Sequence, residues 1–126
     1  MKQKLAVLLF TGIILSGCST IAENSLESGK GSMELLTPTI TAKDNELEIK
    51  TKGIDENKVT FIYVANKKVL EQKLKNGESY KLNIKDIEHA HRTDYKPKVQ
   101  LLQTKDDTQD GDMVTFKQVR YTVKKN

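Results

Sequence analysis

From Pro38 onward, apolar and polar residues alternate along the chain with a period of two, which is the pattern of strands that bury one face. The stretches "TITAK", "ELEIK" and "SYKLNIKDI" follow this alternation, and turn residues such as Asn76-Gly77 separate the strand-like segments. In "KVTFIYVA" both faces are apolar, which predicts a central strand that is buried on both sides. The alternation argues against a helical domain and predicts an all-β fold.

Two connections set the expected order of strand pairing. The dipeptide Asp44-Asn45 separates "TITAK" from "ELEIK", and this spacing predicts a tight hairpin. The segments "KPKVQLLQT" and "MVTFKQVRYTVKK" predict a final antiparallel pair around an acidic loop. In the last segment the apolar residues up to Phe116 are out of phase with those from Val119 onward. This one-residue slip near Lys117-Gln118 predicts a bulge or a strand that changes sheets.

The spacing of the turns favours a sandwich over a closed barrel. About seven short strands fit between turn signals, and the only helical feature expected is a possible turn at Asp86 to His91. We therefore predict an immunoglobulin-like β-sandwich of about seven strands over residues 38–126, built around one core. The Cys-Trp-Cys core typical of antibody domains is absent, because the chain has no Trp, but Tyr95 is a candidate for the tyrosine corner.

The N-terminus has the organisation of a secretory signal. Lys2 and Lys4 precede the uncharged run Leu5 to Leu15, which is too short to span a bilayer comfortably but has the length of a signal-peptide core. The run ends in "LSGC", which resembles the lipobox of bacterial lipoproteins. That resemblance implies cleavage before Cys18, a covalent diacylglycerol on its thiol, and an N-acyl lipid such as palmitate on its amino group.

The lipobox sets the expected domain boundaries and location. Residues 1–17 are the signal peptide, residues 18–37 are the lipidated N-terminus and a flexible tether, and residues 38–126 are the sandwich. We expect a protein anchored by lipid to the extracytoplasmic face of the cell membrane, since two acyl chains give stable anchoring. Removal of the signal lowers the formal net charge from +4 to +2, and no concentrated basic stripe indicates nucleic acid.

Two polar stretches carry the residues that chemistry could use. "EHAHRTD" places His89 and His91 two residues apart, but a metal site needs three or four converging ligands. "DDTQDGD" matches the first half of an EF-hand loop, yet Lys117 then takes the twelfth position, where the motif requires a bidentate Glu. We predict no metal or other cofactor, and the stretch is interpreted as an acidic hairpin tip, with weak calcium binding as the alternative.

Sequence motifs of catalysis are missing. The nucleophile elbow, the phosphate-binding loop and the dinucleotide-binding fingerprint do not occur. We therefore expect no catalytic residues and no small-molecule substrate, and we interpret the chain as a tethered, non-enzymatic binding module. Loops on a rigid scaffold commonly carry binding residues. The candidate partner contacts are Asp106, Asp107, Asp110, Asp112, His89 and His91.

The whole chain resembles small lipoproteins of Gram-positive integrative and conjugative elements, and in particular their exclusion lipoproteins. The lipobox "LSGC", the length, the opening "TITAKDNELEIKTKG" and the closing "TFKQVRYTVKK" carry the resemblance. It implies a protein that excludes redundant conjugative transfer by inhibiting the mating channel of a donor cell, through a component of its type IV secretion machinery. Two alternatives remain open, a bacteriocin-immunity lipoprotein and a structural lipoprotein of the envelope.

Overall fold

The computed structural model describes residues 27–125, which contain nine β-strands and no α-helix. The predicted all-β, sandwich-like fold is confirmed, with nine strands in place of about seven. The strands are β1 (Ser32–Leu35), β2 (Thr39–Thr41), β3 (Glu46–Lys52), β4 (Val59–Val64), β5 (Lys67–Lys73), β6 (Ser79–Asn83), β7 (Lys98–Thr104), β8 (Met113–Arg120) and β9 (Thr122–Lys124).

The strands form three sheets. A four-stranded antiparallel sheet has the order β5-β4-β7-β8, and a three-stranded antiparallel sheet has the order β1-β3-β6. The short strands β2 and β9 pair in parallel as a third sheet. Strand β4 lies between two neighbours, as its apolar composition predicts, and β7 and β8 form the predicted pair around the acidic loop.

One hydrophobic core joins the sheets. Alternate residues of each strand point inward, so Ile62 and Leu101 of the four-stranded sheet meet Leu47 and Leu82 of the three-stranded sheet. Ile40 of β2 and Val123 of β9 close the same core. Phe61 is also buried, at 1% exposure, but it points to the opposite face of the four-stranded sheet. Loop 105–112 is held on the same outer face by a hydrogen bond between Lys68 and Gln109.

The hairpin predicted at Asp44-Asn45 is wrong, because the two strands around it belong to different sheets. The chain does turn there: the Asp44 carboxylate accepts hydrogen bonds from the backbone N–H of Thr41 at 2.8 Å and from its hydroxyl at 3.2 Å. However, β3 already pairs with β1 on one edge and β6 on the other. No edge of β3 is left for β2, which pairs with β9 instead.

The last segment does change sheets, which is one of the two predicted outcomes, but there is no slip at Lys117-Gln118, because the register of β8 with β7 is unbroken there. Phe116 differs in phase from Val119 because it lies on the outer face of the sheet, like Phe61. The change occurs at Tyr121, which separates β8 from β9, slightly later than the predicted position. The backbone N–H of Tyr121 donates to the carbonyl oxygen of Pro97 at 3.1 Å, while that of Thr122 donates to Pro38 at 2.9 Å. The chain therefore leaves the four-stranded sheet and joins β2.

The folded domain begins earlier than the predicted boundary at residue 38. Strand β1 lies within the range assigned to the flexible tether, and it pairs with β3 because Met33 is apolar and buried against the core. Before β1, Ser28 forms an isolated antiparallel bridge with Phe116 on the outer edge of β8. Residues 1–26, with the predicted signal peptide and Cys18, lie outside the described residues.

The connections gather at two opposite ends of the sandwich. At the first, here called the aspartate end, Lys58 Nζ bonds the carbonyl oxygen of Lys105, and the backbone N–H of Asn76 bonds the Glu56 carboxylate. At the second, the histidine end, His91 contacts the Asp44 carbonyl oxygen. The aspartate end comprises the connections 29–31, 53–58, 74–78 and 105–112, and the histidine end comprises 42–45, 65–66 and 84–97.

Candidate functional site

The acidic loop 105–112 closes on itself through backbone hydrogen bonds. The N–H of Lys105 donates to the carbonyl oxygen of Asp112 at 2.9 Å, and the N–H of Gly111 donates to that of Thr108 at 3.0 Å. The Thr104 hydroxyl adds a 2.6 Å bond to the Thr108 carbonyl oxygen. The loop is therefore a compact turn with a defined backbone path.

Side chains also fasten this loop to the four-stranded sheet. Lys58 Nζ donates to the carbonyl oxygens of Thr104 at 3.0 Å and Lys105 at 3.2 Å. The Asp107 carboxylate accepts from the backbone N–H of Val59 at 3.1 Å. On the outer face, Lys68 Nζ donates to Gln109 Oε1 at 2.9 Å and lies 5.8 Å from the centre of the Phe61 ring. Loop, β4 and β5 thus form one unit.

The four aspartates of the loop divide into two pairs with different roles. Asp106 accepts bonds from the hydroxyl and backbone N–H of Thr108 at 2.9 and 3.3 Å, which lower the pKa of that carboxyl and keep it ionised. The Asp107 carboxylate is occupied by the hydrogen bond that it accepts from the backbone N–H of Val59. The carboxylates of Asp110 and Asp112 make no hydrogen bond or ion pair with any described residue, and both residues are exposed. These two are the carboxylates available to a partner.

The two histidines do not form a common site. Residues 86–91 are turns, as predicted, and His89 adopts a positive φ of 72°, so the shared face expected for a strand does not exist. The His89 ring is exposed, 3.5 Å from the Glu88 carboxylate. His91 is half-buried, with Nε2 at 2.7 Å from the carbonyl oxygen of Asp44. One histidine faces solvent, and the other contacts the neighbouring turn.

Within residues 27–125, no cluster of three or more His, Cys, Asp or Glu side chains has the arrangement of a metal site. In the loop that resembles half an EF-hand, the carboxylates of Asp106 and Asp107 accept hydrogen bonds from protein groups.

Among residues 27–125, no helix has the length and apolar character needed to cross a membrane.

The candidate contacts lie at opposite ends of β7. This strand begins after the segment with His89 and His91, and it ends where the acidic loop begins. Its seven residues span roughly 20 Å. A single small contact therefore cannot use both segments.

The tyrosine that organises the histidine end is Tyr121, and not the predicted Tyr95. Tyr95, the predicted corner tyrosine, is 44% exposed and stacks with Arg92, whose guanidinium lies 4.5 Å from the ring centre. Tyr121 is the buried one, at 1% exposure, and its hydroxyl donates to the Ala90 carbonyl oxygen at 2.7 Å. Its place in an apolar stripe with Val119 and Val123 was the available signal. Burial raises the pKa of Tyr121 well above its ordinary value.

An open groove at the histidine end was also not predicted. It lies between the β2–β3 connection and the end of β6, and its volume is about 670 Å³. Lys43, Asp44 and Lys85 line it. The lining combines residues from the segment 37–46 with Asn83 and Lys85, which lie much later in the chain, so no local motif reveals the groove.

We compared the chain with protein-family models, with curated proteins and with solved structures. No family model matches it, and neither the curated proteins nor the solved structures contain a match.

Proposed function

We propose that this protein is a lipid-anchored surface lipoprotein that excludes redundant conjugative transfer. In this proposal Cys18 carries the lipid, and the sandwich is a non-enzymatic binding module that inhibits the mating channel of a donor cell. Its partner is a protein of the donor's type IV secretion machinery. The lipobox "LSGC" and the resemblance to exclusion lipoproteins support this function.

The observation that carries a binding role is the fixed acidic loop. Asp110 and Asp112 are exposed on a backbone that is held by the bonds of Lys58, Thr104 and Asp107. A loop that is ordered before binding loses little conformational entropy in a complex, so its contacts contribute more fully to affinity. Two ionised carboxylates in known positions form a contact that a basic surface of complementary shape would recognise.

Exclusion requires discrimination between related mating channels, and such discrimination is a difference of affinities. Each tenfold difference corresponds to about 1.4 kcal/mol. A few contacts at a fixed loop can supply this difference, whereas bulk charge attracts many partners equally. We therefore place the specificity in the individual side chains of loop 105–112.

A mating assay tests this function. Recipients that express the wild-type protein should acquire an element less often from donors with the matching channel, and equally often from donors with an unrelated channel. The double substitution Asp110→Asn and Asp112→Asn should restore most of the transfer, because it removes both exposed charges with little change in shape. The matched control, Asp86→Asn with Glu88→Gln, removes two charges at the histidine end and should still exclude.

Surface amounts of each variant are compared by labelling of intact cells, so that loss of protein is not counted as loss of function. Full exclusion by the Asp110 and Asp112 variant would place the contact elsewhere. No effect of the wild-type protein on any donor would overturn the proposed function. The exposed carboxylates also suit capture of a cationic peptide, so protection from a bacteriocin, measured in the same strains, would then favour the immunity function.

A further inference from the structure

The first described residues, Glu27 and Ser28, have a defined orientation relative to β8. Ser28 is bridged to Phe116 in antiparallel orientation, and the Glu27 carboxylate accepts from the backbone N–H of Gln118 at 3.0 Å. At Glu27 and Ser28 the chain therefore runs antiparallel to β8, and Glu27 lies nearer than Ser28 to Arg120, where β8 ends. Arg120 lies opposite Lys98, the first residue of β7, at the histidine end.

The length of the remaining chain limits how far the domain can stand from its anchor. Eight residues, 19–26, separate Cys18 from Glu27. Fully extended, these nine steps span roughly 30 Å. Glu27 lies beside the last part of β8, roughly 10 Å from the end of that strand. Cys18 can therefore reach at most roughly 20 Å beyond the histidine end, a distance that lets this end lie against the surface in which the lipid would be inserted.

The charges of the two ends are opposite. Together with the strand residues that border it, the histidine end carries nine basic and five acidic residues, over 42–46, 65–67, 84–98 and 120–125. The aspartate end carries six basic and seven acidic residues, over 29–31, 52–59, 73–79 and 104–113. Lys98 and Arg120 lie directly opposite each other at the histidine end.

An exposed aromatic side chain lies among these basic residues. Tyr95 is 44% exposed, and the Arg92 guanidinium stacks 4.5 Å from its ring centre. Tyrosine is enriched where proteins meet the headgroup region of a bilayer, because its ring is apolar and its hydroxyl remains hydrated. Lys96 follows directly and is exposed. The direction of the chain at Glu27, the excess of basic residues and the exposed Tyr95 therefore all indicate the histidine end as the surface that faces the membrane.

We propose that the histidine end lies against an anionic membrane surface, with the aspartate end directed away from the bilayer. The inference rests on the proposed lipid anchor at Cys18. Basic residues near an anionic leaflet are attracted to it over about a Debye length, so they act together with the lipid. In this orientation Asp110 and Asp112 are presented to an approaching cell, and His89 and His91 are not.

Fluorescence quenching on vesicles tests the orientation with the full lipidated protein. Because Cys18 is the only cysteine and its thiol would carry the lipid, a second cysteine becomes a unique labelling position. Thr93→Cys places a fluorophore at the histidine end, and Asn57→Cys is the matched control at the aspartate end. Both residues are exposed, and neither side chain makes a hydrogen bond with the described residues. Vesicles contain phosphatidylcholine and a headgroup nitroxide, with or without phosphatidylglycerol.

We expect loss of most of the fluorescence at position 93 and little loss at position 57 when phosphatidylglycerol is present. The quenching at position 93 should fall at high salt, and also when Lys96→Gln and Lys98→Gln are combined. Equal quenching at both positions would overturn the orientation, and quenching that ignores both salt and lipid charge would overturn the role of the anionic surface. Mass spectrometry of the purified chain separates these results from failure of the anchor, since an unlipidated Cys18 would overturn the proposed function as well.

Discussion

At the scale of single residues, Tyr121 connects three parts of the histidine end. Its hydroxyl donates to the carbonyl oxygen of Ala90 at 2.7 Å, and its backbone N–H donates to that of Pro97 at 3.1 Å. The residue also separates β8 from β9. One side chain thus holds the turn at residues 86–91 while the chain passes between two sheets.

Removal of the Tyr121 hydroxyl should destabilise the protein measurably. Tyr121→Phe leaves the buried carbonyl group of Ala90 without its donor, so we expect the free energy of unfolding in urea to fall by about 1–3 kcal/mol. Tyr63→Phe is the matched control, because Tyr63 is half-buried and its hydroxyl bonds no described residue. The control should change stability by less than about 0.5 kcal/mol. Equal losses in the two variants would contradict a structural role for the hydroxyl.

The same residue predicts how stability depends on alkaline pH. Burial raises the pKa of Tyr121, so the neutral form is favoured in the folded protein. Its contribution is fully present below the ordinary tyrosine pKa of about 10 and is lost as the pH rises above it, because only the unfolded chain then releases the proton. The free energy of unfolding should therefore decrease above pH 10, by up to about 1.4 kcal/mol per pH unit. In Tyr121→Phe, measured by urea titration at each pH, this decrease should be smaller.

At the scale of elements, the N-terminal crossover decides where the domain begins. Residues 29–31 carry the chain from the edge of β8 to β1 in the other sheet, and the Lys117 ammonium group donates to the carbonyl oxygen of Gly29 at 2.9 Å. Gly31 has a φ of +83°, and a Cβ there would lie 2.6 Å from backbone atoms of Lys52 and Gly53. The crossover therefore needs both the left-handed backbone and the absence of a side chain.

Gly31→Ala should destabilise the protein more than the same change in an open turn. The left-handed conformation costs about 1–2 kcal/mol for alanine, and the backbone clash adds about 1–3 kcal/mol. Gly77→Ala is the control, since Gly77 has a φ of +87° but no atom within 4 Å of the added Cβ. It should show only the conformational cost. A chemical denaturation series on both variants measures the difference, and similar losses would mean that the crossover yields without strain.

At the scale of the whole molecule, the proposed anchor and the fold determine together which surface meets a partner. A single thioether-linked diacylglycerol supplies two chains, which is enough for stable membrane attachment. The domain then stands close to the bilayer, because only eight residues lie between Cys18 and Glu27. In the orientation proposed above, the acidic loop lies at the end that is farther from the bilayer.

Cys18→Ala should prevent lipid attachment and cleavage at this site. Fractionation should find the variant uncleaved or released from the membrane fraction, and exclusion of matching donors should be lost. Ser16→Ala is a suitable control, because it keeps a small residue in the lipobox and should be processed like wild type. A Cys18→Ala protein that is cleaved and retained normally would contradict the lipoprotein proposal.

Several features of this protein follow from local sequence pattern. Period-two alternation indicated the all-β class, the central position of β4 and the β7–β8 pair, because alternation records which face of a strand is buried. A change of sheet in the last segment was one of two predicted outcomes, but it occurs at Tyr121, and the register of β8 is unbroken at the predicted position. The acidic loop was found as a candidate from its composition alone, and the lipobox "LSGC" predicts the anchor in the same local way.

The choice of neighbouring strands and the availability of the candidate residues depend instead on contacts between distant parts of the chain. Asp44-Asn45 has the chemistry of a hairpin turn, but β3 is already paired on both edges, and a local sequence contains no information about distant competitors for an edge. Likewise, all four aspartates of the loop look equivalent in sequence. Asp107 is used by the backbone of Val59, which is 48 residues away, while Asp110 and Asp112 remain exposed. Long-range pairing sets these outcomes, because it depends on which partners the rest of the chain leaves unoccupied.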